Sequence, residues 1–280
     1  MKKVSVITIC YNDPYLEKTC ESIVNQTWQD FEWIVVDGGS NQETLDKFEK
    51  YKKRIDKFVS EPDNGIYDAC NKGVNLASGE YVIFMNAGDS FYSHEVLNNI
   101  FSKHNYNSNI LYGDTVMIDN NLKQSKQKHC AKIPHKISKC YFYTSNICTQ
   151  SIFIKKELYY KYGLHNLKYK ILADYDRNLA FVSNGEKFEY IPVIVSYYDT
   201  NGVSSNLKTF NARLQEQKEI IKTYFYSDEI SFYENLINFK YKNIFERLFS
   251  IKKQFSVGKF YNTITILGIK IKFKTKQNNF

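Results

Sequence analysis

Three short apolar runs dominate the first ninety residues: "VSVITIC" (4–10), "FEWIVVD" (31–37) and "YVIFM" (81–85). Unbroken runs of this length predict strands buried on both faces. A shorter one is predicted within "DKFVSEPDNG" (56–65), and the second and fourth extend as "FEWIVVDGGS" (31–40) and "EYVIFMNAGD" (80–89). The spacers have helical period. "NDPYLEKTCESIVNQ" (12–26) places Leu16, Cys20, Ile23 and Val24 on one stripe, with Asp13 to cap the helix and Pro14 at its first position. "QETLDKFEKYKK" (42–53) and "GIYDACNKGVNLASG" (65–79) supply two more. Strand and helix alternating with short links predict an α/β, doubly wound, mainly parallel sheet.

Beyond residue 100 the pattern gives a strand at 109–119, a strand entering a helix over 145–158, a helix over 173–185 stopped by Gly185, and a strand over 188–200. Helical periods follow at 207–226 and 229–253. In the second, Phe232, Leu236, Phe239, Ile244, Phe245, Leu248 and Phe249 fall roughly on one side. Over 269–274, Ile269, Ile271 and Phe273 alternate with lysines.

Charge changes this picture in one respect. Residues 1–205 balance 24 Lys and Arg against 24 Asp and Glu, whereas residues 206–280 carry 14 against 6, so the whole net charge of +8 lies there. The asymmetry predicts two functional parts, the first over 1–205. A basic, aromatic-rich, mostly helical extension follows over 206–280. The 43% hydrophobic content is ordinary for a globular protein. The six cysteines form no CxxC pair and show no metal-ligand spacing with the five histidines, as expected of free thiols in a reducing cytosol. "MKKVSVITIC" is too short an apolar stretch for a secretory leader, and no run approaches the ~20 apolar residues of a membrane span.

The chemistry gathers at strand ends. Asp37, Asp63 and Asp89 each lie just past a predicted strand, beside glycine or turn residues. In a parallel sheet those ends form one edge, where ligands bind. One such aspartate is a loop residue; three make a polar rim suited to a charged ligand.

Four stretches in this order, "VSVITICYND", "SIVNQTWQDFEWIVVDGGS", "EPDNGIYDACNKGVNLASGEYVIFMNAGD" and, more loosely, "ILADYDRNL", resemble the inverting glycosyltransferases of family 2, which have the GT-A fold. The resemblance covers roughly residues 1–200 and is nearest to bacterial enzymes of capsule, lipooligosaccharide or exopolysaccharide synthesis; it implies a catalytic domain over 1–205, with a nucleotide-sugar-binding half to about 119 and an acceptor half over about 120–205. It implies transfer of a sugar from a nucleotide-diphosphate donor, with UDP expected, to a glycan or lipid-linked acceptor. It also implies a divalent metal, Mn²⁺ or Mg²⁺, on the departing diphosphate.

The resemblance makes Asp89 the metal ligand, at the end of an acidic cluster reduced here to Asn86-Ala87-Gly88-Asp89, with Asn86, Ala87 and Gly88 as donor contacts. It sets Thr8, Tyr11 and Asn12 beside base and ribose, and Asp37 on the base with Ser40 close by. Asp63, Gly65, Asp68 and Lys72 line the remaining wall, with Asp68, Asn71 and Lys72 read as one polar helix face. Asp174 is the base that takes the acceptor proton, with Asp176 as runner-up and Ala173 where a glutamate is usual. Thr149 and Gln150, in "CTQSIF", become sugar contacts on an acceptor-side strand. The "NGVSS" loop (201–205) is a candidate to close over the donor. A further metal-binding histidine, present in some relatives, has no clear counterpart; His129 and His165 are the nearest candidates.

The basic tail leaves three readings open: packing on the catalytic domain, a partner or homo-oligomer surface, or a peripheral anchor on an anionic membrane. Nucleic-acid binding is not expected, since no recognisable module accompanies the charge. The localisation expected is cytoplasmic, with peripheral attachment to the cytoplasmic face of the inner membrane under the third reading. Two other functions compete. A sugar-nucleotide nucleotidyltransferase would want a glycine-rich basic loop where "CYNDPY" stands. A non-catalytic nucleotide-binding scaffold is supported by Gly88 and Ala173 and opposed by Asp37, Asp89 and Asp174 together.

Overall fold

The computed structural model describes residues 2–102, 106–119, 129–131, 133–202, 206–256, 259–266 and 269–274. The first part alternates as the apolar runs require: β1 (Val4–Cys10), α1 (Leu16–Val24), β2 (Phe31–Asp37), α2 (Gln42–Glu49), β3 (Lys57–Ser60), α3 (Ile66–Leu76) and β4 (Tyr81–Phe84). Every residue of β1, β2 and β4 is buried, as expected of strands covered on both faces. Helix α1 begins later than its sequence pattern suggests. The Asp13 carboxylate accepts the Tyr15 N–H at 2.8 Å, closing a turn ahead of the helix, and Tyr15 becomes the cap.

The next elements are β5 (Ser90–Phe91), α4 (Val96–Phe101), β6 (Ile110–Ile118), β7 (His129–Ala131), β8 (Ile152–Lys155), α5 (Lys156–Tyr162), α6 (Ala173–Ser183) and β9 (Phe188–Asp199). The sheet order is β3-β2-β1-β4-β8-β6-β9-β5, with β7 alongside β6. The β3-β2-β1-β4 portion is parallel. β8 then enters antiparallel to both β4 and β6, and β9 returns parallel to β6. β5 pairs antiparallel with β9, Ser90 opposite Tyr197. Val4, Val6, Trp33, Val35, Tyr81 and Ile83 lie in one core with Leu16, Cys20 and Ile23 of α1, and all are shielded from solvent.

At the sheet edge opposite the candidate site, Glu32 is buried as well. Burial would raise its pKa, but bonds from the Ser5 hydroxyl and the Ser78 N–H, together with Lys57, bring it down to about 2.

The chain forms two compact units, Met1–Tyr224 and Phe225–Phe280. α7 (Phe210–Tyr224), grouped by charge with the basic extension, belongs to the first unit, where its Ile220 is fully buried. The second unit carries α8 (Ser227–Leu248) and an antiparallel meander of β10 (Phe249–Ser256), β11 (Lys259–Ile266) and β12 (Ile269–Lys274). The helical pattern read to 253 therefore stops at Leu248, and the alternation at 269–274 is a strand whose backbone pairs Ile271 with Ile264. The apolar face read through Phe239, Ile244, Phe245, Leu248 and Phe249, and the side chains of 269–274 and His129, lie outside the described residues. So do residues 203–205 of the "NGVSS" loop. Among the described residues no helix is long and apolar enough to cross a membrane.

Candidate active site

Asp37 ends β2 fully buried. Its Oδ2 accepts from the Gly39 N–H (3.1 Å), the Ser40 N–H (3.0 Å) and the Ser60 hydroxyl (2.7 Å), while Oδ1 is buried with no donor among the described residues. A buried acceptor left unmatched costs free energy. Beside it Asn12 holds a left-handed backbone, φ 50°, which asparagine tolerates better than most residues. Asn12 N–H donates to Ser40 Oγ (2.8 Å), and Asn12 Oδ1 accepts from Asn41 N–H (2.8 Å), joining the loops after β1 and β2. Tyr11 projects with 67% of its surface exposed. Thr8 faces elsewhere: its hydroxyl accepts the Trp33 indole N–H at 3.0 Å inside the core.

Asp63 accepts the Gly65 N–H at 2.8 Å, and its carboxylate fills the space beside Gly38. Asp68 turns back to the Asn64 N–H (3.0 Å), and Lys72 pairs with Glu61 (2.8 Å) and Asp68 (3.6 Å). Asp68 and Lys72 thus share a face of α3, but Asn71, read with them, points inward. It exchanges hydrogen bonds with the backbone of His165 and meets its ring Nδ1 at 3.0 Å. Arg177, on α6, donates to the other ring nitrogen, so Nδ1 carries the His165 proton. Burial and then the Arg177 charge hold His165 well below its ordinary pKa. It is a neutral packing residue, stacked on Tyr67, and not a metal ligand.

The turn after β4 is built by α1. Thr19 Oγ1 accepts the Gly88 N–H (3.0 Å) and donates to Asp89 O (2.6 Å), Ser22 Oγ accepts the Phe91 N–H (3.1 Å), and Gln26 bonds Ser93 O and Leu97 N. Thr19 and Ser22 lie on one face of α1 at i and i+3, and Gln26 follows just past its end. The turn passes through Gly88 at φ 91° and leaves Asn86 Oδ1 buried without a donor among the described residues. The Ala87 N–H extends the pairing to β1 by donating to Ile9 O. Asp89 is 5% exposed; Oδ1 accepts the Asp199 N–H (2.8 Å) and Oδ2 the Gln150 side-chain amide (2.7 Å). Burial, reinforced by the Asp199 charge, pushes the Asp89 pKa up to about 8 against the pull of those hydrogen bonds and of Lys18. Asp13 is also raised, by burial and then by Asp199.

Asp174 sits in the first turn of α6. Its Oδ1 accepts from the Tyr67 hydroxyl (2.8 Å), and its Oδ2 from the Asn146 amide (2.9 Å) and the Thr149 hydroxyl (3.1 Å). Burial, then the Asp174 charge, raises the Tyr67 phenol well above its usual range. Asp176 points to another side of the helix, accepting from Tyr224 of α7 at 3.1 Å. Thr149 and Gln150 occupy a 3₁₀ turn ahead of β8, not the strand expected there, and each binds a carboxylate: Thr149 takes Asp174 and Gln150 takes Asp89. A small cleft of about 70 Å³ opens between Asn64–Asp68 and Leu167, Tyr169 and Lys170, with Tyr67 in its wall.

Five participants escaped the sequence reading: Asp199, Thr19, Tyr67, Asn146 and Lys18. The β5–β9 pairing brings Asp199 across 110 residues to Asp89, and no local pattern signals such a contact.

The profile of Glycosyl transferase family 2 matches residues 5–175. A PGL/p-HBAD biosynthesis glycosyltransferase of Mycobacterium tuberculosis is 34% identical over 192 residues, 66% of this chain and 72% of the relative. Among solved structures, Staphylococcus aureus TarS 1–349 in complex with UDP superposes with a TM-score of 0.56 at 22% identity, covering 70% of this chain and 60% of TarS. The mannosyltransferase PcManGT of Pyrobaculum calidifontis, with GDP-Man and Mn²⁺, gives 0.55 at 18% identity, covering 71% and 57%. At these identities the two structures speak for the fold.

Proposed function

From the premise that this chain belongs to glycosyl transferase family 2, we propose that it is an inverting enzyme moving a hexosyl or N-acetylhexosaminyl group from a UDP-sugar. The acceptor in this reading is a glycan or lipid-linked oligosaccharide of bacterial surface polysaccharide synthesis. One observation carries it: the metal-side carboxylate Asp89 and the base carboxylate Asp174 are held by the adjacent residues Gln150 and Thr149. Consecutive Cα atoms are about 3.8 Å apart, so one short turn fixes the two groups that must flank a transferring sugar.

Asp37 Oδ1, unmatched and buried, supports a donor N–H of the nucleobase at that point, with Tyr11, Asn12 and Ser40 around it. Asp89 and Asp199 fit a hard divalent cation: two neighbouring carboxylates, one raised to about 8, are relieved by positive charge. Among the described residues no group of three metal-ligating side chains occurs, so diphosphate oxygens and water would complete the shell. A bound Mn²⁺ or Mg²⁺ would offset the negative charge developing on the leaving diphosphate. Asp174 accepts the proton of the acceptor hydroxyl, oriented by three donors that leave it acceptor-only while ionised. The second unit, basic in composition, is assigned to an anionic membrane surface carrying a lipid-linked acceptor.

A calorimetric screen of UDP, GDP, dTDP and CMP, each with Mn²⁺ or EDTA, tests this. The expected result is Mn²⁺-dependent UDP binding that Asp89→Ala abolishes and Asp174→Asn retains, with sugar transfer nearly abolished in both. Failure of every nucleotide to bind would overturn the proposal.

A further inference from the structure

Helix α6 has an unusual start for the element that carries Asp174. Its capping position is Leu172, whose side chain can accept no hydrogen bond. The segment entering the helix is held by another helix instead. Glu216 of α7 takes the Lys170 N–H on Oε1 (2.7 Å) and the Ile171 and Leu172 N–H groups on Oε2 (3.0 and 2.9 Å). Three successive backbone donors converging on one carboxylate form an anion nest, and charge-assisted bonds of this kind are about twice as strong as neutral ones. The same face of α7 carries Glu219, paired with Lys168, the fully buried Ile220, and Tyr224, which donates to Asp176. One stripe of α7 therefore grips the chain from 168 to 176.

The grip reaches Asp174 through a single peptide group. Leu172 N–H and Ile171 C=O belong to the same planar unit and point in opposite directions. On one side Glu216 accepts the N–H; on the other, Ile171 O lies 2.6 Å from the Tyr67 hydroxyl, which is 2.8 Å from Asp174 Oδ1. The phenol has one proton and two acceptors. It belongs to Asp174 while that carboxylate is ionised and turns to Ile171 O once Asp174 holds the acceptor's proton, so both states are satisfied.

We propose that Glu216 is a positioning residue for sugar transfer: by fixing the 170–172 backbone it sets Ile171 O, hence Tyr67, hence the aim of Asp174. This rests on the reading of Asp174 as the base. It makes α7 part of the catalytic apparatus, although its composition groups it with the basic tail.

The test uses the full chain and four variants: Glu216→Ala, Glu216→Gln, Asp174→Asn, and Glu216→Ala with Asp174→Asn. Turnover is read as Mn²⁺-dependent UDP release from the UDP-sugar that binds, affinity as UDP·Mn²⁺ calorimetry, and local order as amide exchange over 170–176. Glu216→Ala is expected to lower kcat about 100-fold, the scale of a misplaced catalytic group. UDP·Mn²⁺ affinity should stay within about twofold, with exchange quickened at 170–176. Glu216→Gln, which keeps one accepting oxygen and the shape, should fall between and guards against a folding failure in Ala. The double variant should be no slower than Asp174→Asn, because Glu216 acts through that residue. Wild-type kcat in Glu216→Ala beside a strongly impaired Asp174→Asn with a measurable residual rate would overturn the positioning role and leave the base in place. A further loss of the same size in the double variant would show a general structural role and also overturn it. Near-normal turnover by Asp174→Asn would remove the base, and the inference with it.

Discussion

Asp89 offers the sharpest quantitative check. Its carboxyl is buried beside Asp199, with its pKa raised to about 8, whereas in an unfolded chain it would titrate at 3.8. Between those values the metal-free native state holds a proton that the unfolded state has lost. Native stability conferred at low pH is therefore lost as pH rises from about 4 to about 8. A cation binding Asp89 must displace that proton. The competition factor, one plus ten to the power of pKa minus pH, is about 100 at pH 6 and about 2 at pH 8, so apparent Mn²⁺ affinity should rise about 50-fold over that interval. At pH 7 about 0.9 proton should leave per metal bound. Calorimetry of Mn²⁺ with UDP in two buffers of different ionisation enthalpy reads this directly, and Asp89→Asn is the reference. The phosphate titration of UDP is common to both proteins and cancels. Parallel pH dependences in wild type and Asp89→Asn would refute the reasoning, because the proton would then come from elsewhere. Thermal unfolding of metal-free protein supplies the second arm: the melting temperature should fall from pH 5 to pH 8, and Mn²⁺ with UDP should recover it.

Three further outcomes follow from individual contacts. Thr149→Val removes one of the three donors to Asp174 and should lower kcat about tenfold with UDP affinity unchanged; unaltered kcat would deny Thr149 a part in orienting it. Gly88→Ala forces a side chain into φ 91° and sets its Cβ 3.3 Å from Asp13 Oδ2. It should cost about 1–2 kcal/mol, read as a fall of about 3–6 °C in melting temperature. No shift would mean that the turn relaxes freely. Thr8→Val strands the Trp33 indole N–H and should cost about 1–3 kcal/mol while UDP affinity moves less than twofold. A large affinity loss at constant melting temperature would return Thr8 to the donor pocket.

The parallel half of the fold was legible because β1, β2 and β4 are buried on both faces and so read as continuous apolar runs. The strand-end position of Asp37 and Asp89 followed from the same runs. What stayed hidden depends on contacts distant in sequence. Two-residue β5 has no period to detect, yet its pairing with β9 supplies Asp199. Thr149-Gln150 looked like a strand surface because a 3₁₀ turn of three residues leaves no signature, and only the folded chain turns both side chains onto carboxylates. Thr8 was set beside the ligand by the resemblance alone, and the Trp33 indole that its hydroxyl accepts lies on the neighbouring strand, which no local pattern signals. Glu216 carries no motif at all; a glutamate on a charged helix is ordinarily a solvated surface residue.

The place of β8 has a consequence for the nascent protein. β1 to β4 can pair as soon as residue 84 clears the ribosome, but the outer edge of β4 is closed only by β8, about 70 residues later. At roughly 5–20 residues per second, translation leaves that apolar edge open for about 4–14 s. An unpaired, fully apolar strand edge is a template for association with other chains. Synthesis rate and chaperone supply over the 85–155 stretch should therefore govern how much protein reaches the native state, more than changes in the sheet that has already formed.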